Sequence, residues 1–473
     1  VLSETAEANE TGPYKGGILS IGTEVPVARA EVELIAPQDL LPTYELVGLE
    51  DEPVRTHHDD ASVRLRWTWT DIPAVPREMP PAPRLVATPH MVYSNHGEWG
   101  ELADWYARHT APRVRVSQQV EETARRLVRG IEDHGERVLR IYRFVANEIT
   151  YVGLELGEHR FRPFSADWVL SHRIGDCKDK AALLVALYSV IGVDARMVLV
   201  RSSDSGPVVA RTALLEHFNH VIVYLPEDDM WLDGTAAGHD PSVPPAFDQG
   251  AWVLVVDGVE SRPQTTPVVG AGVRRIDYSL RRVDEGEVEL EVRTDDTGEA
   301  ASQRRSAFAG RADSRRLAQW LQRQFPGAEL VGEPELRMPP SRDPATVTLR
   351  ATVQRTALLS GGGIPTFPEG LNLLSRLGTG GERSTPLLVP LRPELEWTLD
   401  VELDREPGPL PPSELLQTPY GVLRLDIEPR RLGYRVEGSF HLEAGLLQPA
   451  DATAFRDFLV AVERRLTRPL EVP

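Results

Sequence analysis

The chain has 473 residues, a hydrophobic content of 41% and a formal net charge of −19. Its length predicts about two to four domains rather than one core, and its acidic charge argues against nucleic acid or anionic membrane as a partner. No apolar run in the sequence reaches the roughly 18 residues that a membrane-spanning helix needs. The single cysteine excludes an intrachain disulfide framework and a cysteine-rich metal site.

The N-terminal segment, residues 1–105, has strand patterns separated by proline-rich loops. Segments 30–35 and 63–69 alternate polar and apolar residues, which is typical of half-buried antiparallel strands. We therefore predict an N-terminal β-domain. The chain starts with the polar stretch VLSETAEANE and no initiator methionine, so we expect that a leader has been removed or that the chain is a fragment of a longer product.

Residues 106–262 change to helical periodicity and then return to strand patterns. Ser117 suits the N-cap of one helix, and a second helix follows the break at His134-Gly135. A third begins at Cys177 and ends near Gly192, a residue type favoured just past a helix end. Because the helical patterns come before the strand patterns, we predict that this segment is α+β. The predicted strands are residues 195–200, 218–225, 230–233 and 252–256.

Residues 258–272 have the composition of a linker, rich in Gly and Pro. Beyond them, strand alternation returns, and helical periodicity occurs over 302–325 and in a last amphipathic helix. We predict that 263–473 form a β-sandwich-like domain with helices. The apolar face of the last helix consists of Phe455, Phe458, Leu459, Val462 and Leu466.

Cys177 lies in the sequence GDCKDK, directly before the helical run AALLVALYSVIG. The chain has three lysines, and two of them, Lys178 and Lys180, flank this thiol. The first turn of a helix carries partial positive charge, and nearby cations add to it, so this position favours a thiolate. Asp176 is placed to cap the helix with Asp179 in its third position, as in a capping box. The alternative is that both lysines are solvated helix residues.

His220 and Asp233 are the candidate partners of a cysteine nucleophile, which needs a histidine held by an acceptor. They lie in strand patterns on either side of the turn at 226–229. An even-length hairpin loop would place Leu225 opposite Met230. His220 would then share a face with Asp233 and lie diagonal to it, within reach of long side chains. An odd-length loop would put the two on opposite faces.

Other interpretations of the same residues stay open at this point. A lone cysteine is commonly a buried structural thiol, His217 competes with His220 as the base, and Asp233 followed by Gly234 also suits a simple turn. A zinc site built on the cysteine, the histidine and the aspartate lacks a fourth ligand at a recognisable spacing. We therefore expect no metal and no cofactor.

The order of these segments resembles the transglutaminase-like superfamily. Its pattern is a cysteine at the start of a buried helix, a histidine on a strand and an aspartate on the neighbouring strand. GDCKDKAALL at 175–184, NHV at 219–221 and WLDGT at 231–235 match it in order and spacing. GDCKDKA more narrowly resembles a bacterial subgroup in which the core follows a β-domain of unknown function and often precedes another. The N-terminal domain is short for that subgroup, as if its first half were missing.

The resemblance implies an α+β chain with a papain-like or transglutaminase-like core at 106–262, between two mainly antiparallel β-sandwich-like domains. It implies Cys177 as the nucleophile, His220 as the base and Asp233 as the orienting carboxylate, acting on amide bonds of a protein or peptide. The acyl group of the thioester would pass to water, as in a peptidase or amidase, or to an amine. It also implies a location in the bacterial periplasm or outside the cell, with the cytoplasm left open, and leaves the oligomeric state undetermined.

A second hypothesis is a catalytically silent binding or scaffold protein of the bacterial envelope. Large flanking β-domains would suit partner binding, and a flanking domain over the thiol would prevent turnover. The solvent accessibility of Cys177 distinguishes the two hypotheses.

Overall fold

The structure is a computed structural model that describes residues 14–153, 157–283, 286–308, 314–339, 344–360, 363–378, 382–402 and 406–470. The polar stretch at 1–10 lies outside these residues. The chain divides into two compact units, one of Val1–Ala237, Phe247–Val268 and Ser384–Pro386, and one of Gly238–Ala246, Val269–Arg383 and Leu387–Pro473. The division into three domains at 1–105, 106–262 and 263–473 stays a prediction.

The N-terminal strands form two antiparallel three-stranded sheets. The first sheet consists, in spatial order, of strands Gly16–Ser20, His90–Ser94 and Thr43–Val47. The second consists of strands Val27–Pro37, Ser62–Ile72 and Val54–His57. Strand Ser62–Ile72 has the predicted alternation, with Val63, Leu65, Trp67 and Trp69 buried. They pack in one apolar cluster with Met91 of the other sheet. The N-terminal strand predictions are confirmed, since burying one face of each strand drives the two sheets together.

Next in the chain come a layer of helices and a five-stranded antiparallel sheet. The helices are Trp99–Thr110, Gln118–Leu127, His134–Glu148, Ala166–His172 and Cys177–Val190. The sheet order is Met230–Leu232, His220–Leu225, Arg196–Arg201, Trp252–Val255 and Pro263–Thr265. Helix Cys177–Val190 packs against the three helices before it and against strand His220–Leu225. Its residues Leu183, Leu184 and Leu187 are fully buried, so this helix belongs to the main apolar core of the first unit.

Local sequence determines where these helices begin and end. The Ser117 hydroxyl accepts a hydrogen bond from Val120 N at 3.2 Å, as expected of an N-cap. The second helix begins at His134 rather than after the His-Gly pair, because the carboxylate of Asp133 caps it. Helix Cys177–Val190 ends as predicted, with Gly192 at a φ of 76°, a conformation that glycine adopts without strain.

The expected linker over 258–272 is wrong at one place. Residues Pro263–Thr265 form an edge strand that pairs antiparallel with Trp252–Val255. A proline is tolerated at the start of an edge strand because its missing N–H removes no ladder bond there. The Gly- and Pro-rich composition at this position therefore belongs to an edge strand and the turns beside it.

The second unit is built on a large sheet that is antiparallel except for one central parallel pair. That pair is Val273–Arg282 with Glu394–Glu402. The other strands are Glu287–Asp296, Glu329–Leu330, Glu335–Arg337, Ala345–Gln354, Glu414–Thr418, Gly421–Arg430 and Gly433–Leu442. The predicted last helix is Ala452–Leu466, and its five predicted apolar residues are all buried in the core of this unit. The α+β class with mainly antiparallel flanking sheets is confirmed.

The helical region predicted over 302–325 consists of two helices, Gly298–Ala307 and Ser314–Gln324. None of the helices in the described residues is both long and apolar enough to cross a membrane. The shorter helices are Arg84–Ala87, Arg355–Ser360 and Leu373–Leu377. The short paired strands are Thr150–Tyr151 with Ile174–Gly175, Ile364–Pro365 with Pro469–Leu470, and Leu387–Val389 with Gly445–Leu447.

The burial of helix Cys177–Val190 can be tested by truncating one buried side chain. Leu184→Ala should lower the free energy of unfolding by roughly 2–5 kcal/mol, because it leaves a cavity in a packed core. Ser189→Ala, at an exposed position of the same helix, should change it by less than about 0.5 kcal/mol. Urea unfolding followed by tryptophan fluorescence measures both. Equal effects of the two substitutions would contradict the placement of this helix.

Candidate active site

Cys177 is the first residue of its helix, and a capping box fixes that helix end. The Asp176 carboxylate accepts a hydrogen bond from Asp179 N at 3.3 Å, and the Asp179 carboxylate accepts one from Asp176 N at 3.0 Å. A Cβ at Gly175 would lie 2.8 Å from the Cβ of Asp179, so only glycine lets the Asp179 side chain reach back this closely. The predicted capping box is confirmed, and it holds the thiol at the positive end of the helix.

The two lysines beside the thiol are buried, so the interpretation of them as solvated residues is wrong. Lys178 forms a buried ion pair with Asp176. Lys180 donates from Nζ to the carbonyl of Ala146 at 3.3 Å. Burial lowers the pKa of Lys180 to about 8, although the charge of Asp233 opposes this shift. The positive charge of Lys178 is thus neutralised by its neighbour, and that of Lys180 acts on Asp233.

The hairpin pairs in the even-length register on which the proximity of His220 and Asp233 depends. Leu225 lies opposite Met230, and the pairing continues to Val223 opposite Leu232, the residue before Asp233. His220 Nε2 lies 3.2 Å from Asp233 Oδ2. The Cys177 side chain lies near enough to the imidazole to help raise the pKa of His220. The structure therefore brings the three residues singled out in the sequence together, with the histidine in the middle; their catalytic roles stay a prediction.

The carboxylate of Asp233 is buried and held from two sides. Its oxygens accept hydrogen bonds from Thr235 N at 2.7 Å and from the Thr235 hydroxyl at 2.8 and 2.9 Å. A Cβ at Gly234 would lie 3.2 Å from side-chain atoms of Lys180 and Leu184, so the chain after Asp233 runs close against the cysteine helix. Asp233 therefore both starts a turn and faces His220, and the two interpretations of Asp233-Gly234 are compatible.

The charges of His220 and Asp233 stabilise each other. Burial lowers the pKa of His220, but the charge of Asp233 and hydrogen bonds with Asp233 and Cys177 outweigh it, so the net pKa lies well above the usual value. Burial raises the pKa of Asp233, yet His220 and the Thr235 donors outweigh it and the net pKa is lowered. An imidazolium beside a carboxylate is thus the favoured state.

His217 takes no part in this cluster. It lies in the short 3₁₀ helix Leu215–His217, before the strand begins, so strand alternation does not relate it to His220. Its Nε2 is 3.1 Å from the carbonyl of Thr212, and its ring lies near the rings of Trp99 and Trp252. Burial lowers the pKa of His217 to about 4, which keeps this imidazole neutral near pH 7. Its surroundings are those of a core histidine.

Sequence reasoning missed a fourth ionisable residue in this cluster, Asp248. It ends the 3₁₀ helix Ala246–Asp248 and is fully buried. One side-chain ligand atom from each of His220, Asp233 and Asp248 lies within 4.8 Å of the other two. Nitrogen and oxygen donors at such distances suit a small divalent cation in outline, but His220 Nε2 and Asp233 Oδ2 already interact with each other. No periodic pattern or motif marks Asp248, because it lies in an irregular connection between strands.

The model of the transglutaminase-like superfamily matches residues 121–235. That segment contains Cys177, His220 and Asp233 and ends before Asp248. The comparison with curated proteins gives no match.

Two of the solved structures that match this chain are candidate proteases. A candidate protease from Parabacteroides distasonis is 16% identical, with a TM-score of 0.64 over 97% of this chain and 75% of its own. At that identity the likeness shows a shared fold alone. A candidate cysteine protease from Cytophaga hutchinsonii, also 16% identical, has a TM-score of 0.22 over 47% of this chain and 71% of its own, which is too low to support a structural comparison.

The mutual stabilisation of His220 and Asp233 can be tested by removing one charge. Asp233→Asn should lower the pKa of His220, because burial then acts without the carboxylate that outweighs it. Titration of the histidine ring signals by NMR measures this change. His217 provides an internal control, since its pKa depends on burial and on Thr212. A His220 pKa that stays raised in the variant would contradict the assigned cause.

Proposed function

Because residues 121–235 form a transglutaminase-like domain, we propose that the protein is a cysteine-dependent acyl-transfer enzyme that acts on amide bonds of proteins or peptides. One observation carries the proposal. The imidazole of His220 interacts with both the Cys177 side chain and the Asp233 carboxylate. A nucleophile, a base and a group that orients the base are the minimum set for thiol catalysis.

In the first half-reaction, the Cys177 thiolate attacks the carbonyl carbon of the scissile amide. The imidazolium of His220 then gives its proton to the leaving amine, and a thioester remains on Cys177. Asp233 keeps the ring oriented and stabilises its positive charge. The raised pKa of His220 supports this proposal, because it keeps a proton on the ring for the leaving group.

Negative charge develops on the carbonyl oxygen during the attack, and the helix end offers a donor for it. The capping contacts at this end use the N–H groups of Asp179 and Lys180, which bond to Asp176. The N–H of Cys177 belongs to the first turn, where a helix provides no internal acceptor. We assign it as one oxyanion donor, and it acts together with the positive end of the helix.

The second half-reaction decides between hydrolysis and cross-linking. Water activated by His220 would release an acid, whereas a substrate amine would form a new amide. The fold shared with a candidate protease supports hydrolysis, so a protein or peptide is the proposed substrate and a peptidase or amidase the proposed enzyme. The location in the bacterial periplasm or outside the cell also remains a proposal, which rests on the likeness of GDCKDKA to the bacterial subgroup.

The catalytically silent binding protein stays the second candidate, because Cys177 is only 7% exposed. The side chain of His220 is 13% exposed. A low exposed fraction is expected both for a nucleophile at the base of a cleft and for a thiol that is fully occluded. The two functions differ in whether a small electrophile reaches the sulfur.

Alkylation by iodoacetamide tests the proposal, and the single cysteine makes the reaction specific to one site. Cys177 should react faster near pH 7 than a free model thiol such as glutathione, because an adjacent imidazolium favours its thiolate. His220→Ala should lower the rate by about tenfold or more, since the cation is lost. Mass spectrometry of the intact protein gives both rates.

The control for this experiment is His172→Ala, which removes an exposed histidine stacked on Trp168 and should leave the rate unchanged. Alkylation of Cys177 no faster than that of glutathione would favour the binding protein. Equal losses in the two histidine variants would remove His220 from its assigned role.

A further inference from the structure

The environment of Asp248 is unusual for a carboxyl group. The residue is 0% exposed, and neither of its side-chain oxygens has a hydrogen-bond donor among the described residues. A buried carboxylate without donors carries a large desolvation cost. Asp248 is therefore expected either to be protonated or to have a partner that donates a hydrogen bond to its carboxylate.

The position of Asp248 is well fixed by its backbone. The carbonyl of Phe247 accepts a hydrogen bond from the Ser203 hydroxyl at 3.1 Å, and that of Asp248 accepts one from the Thr266 hydroxyl at 2.5 Å. Thr266 is itself tied to Ala251 in both directions. The Phe247 ring packs edge-on against the imidazole of His220. The Asp248 side chain is thus held beside the His220–Asp233 pair by defined contacts.

Asp233 and Asp248 are two neighbouring buried carboxyl groups, of which only one is expected to be ionised. Two buried carboxyl groups this close cannot both ionise at modest cost, so one of them keeps its proton. Asp233 has Thr235 and His220 as donors and is the ionised partner. Burial raises the pKa of Asp248, and the charges of Asp233 and Asp204 raise it further against the effect of His220.

We propose that Asp248 is a neutral carboxylic acid that donates its O–H to the carboxylate of Asp233, and so is a positioning residue for His220. The cluster is then a chain of four groups, in which Asp248 holds Asp233, Asp233 holds His220, and His220 faces Cys177. The donated hydrogen bond occupies a lone pair of Asp233 and keeps its carboxylate directed at the ring. The consequence for catalysis rests on the proposed function, whereas the protonation of Asp248 does not.

Two substitutions separate this role from a merely structural one. Asp248→Asn keeps the shape and supplies an N–H donor, so it should keep the alkylation rate of Cys177 within about threefold of the wild type. Asp248→Leu cannot donate and should lower that rate about tenfold, the usual effect of losing a hydrogen bond to a charged group. Asp194→Asn, at an exposed carboxylate that pairs with Arg196 and has no part in the cluster, is the matched control and should have no effect.

Measurements of protonation keep the inference testable if the leucine variant does not fold. At neutral pH the wild type should show an infrared band of a buried protonated carboxylic acid, and Asp248→Asn should lack it. The His220 pKa, followed by NMR, should be unchanged in Asp248→Asn, because no charge is removed. Besides His220, the charge of Asp204 acts on Asp248, and the charges of Lys180 and Asp233 act on each other.

Either of two results would overturn the proposal. The infrared band could be the same in both proteins, or the His220 pKa could fall in Asp248→Asn, as it would if Asp248 were an anion or bound a cation there. Slow alkylation of the wild type would instead count against the proposed function, and the infrared and NMR results would still decide the state of Asp248.

Discussion

The contact between His220 and Asp233 is the interaction on which the site depends, and a strand register produces it. In a hairpin, a slip by one residue turns every side chain to the opposite face. The pairing of Leu225 with Met230 keeps His220 and Asp233 on one face, and the cysteine helix packs against the same strand. One register thus decides whether the imidazole meets both the sulfur and the carboxylate.

The site also depends on how its charges are paired, because its ionisable side chains are buried. Buried ions are tolerated where each is paired or hydrogen-bonded. Lys178 pairs with Asp176, the carboxylate of Asp179 accepts two backbone N–H groups, and Lys180 acts on Asp233. The imidazole of His220 is then the cation that lies next to the thiol.

Features with a local cause were predictable from the sequence. The capping box at Cys177, the end of its helix at Gly192 and the alternation in strand Ser62–Ile72 each follow from residues a few positions apart. Burial of the lysines and the place of Asp248 depend on contacts between distant segments, which local patterns do not encode. The hairpin was an intermediate case, because its register followed from the loop length once the loop was assumed to be even.

On the proposed function, Cys177 forms an acyl-enzyme with the help of His220. Rapid mixing with p-nitrophenyl acetate, a small activated acyl donor, tests it without knowledge of the natural substrate. We expect an initial burst of p-nitrophenolate stoichiometric with the protein and an acetyl group on Cys177, both absent in Cys177→Ser and strongly reduced in His220→Ala. A wild-type protein that shows no burst and no acetylated Cys177, or a His220→Ala variant that acylates as fast, would contradict it.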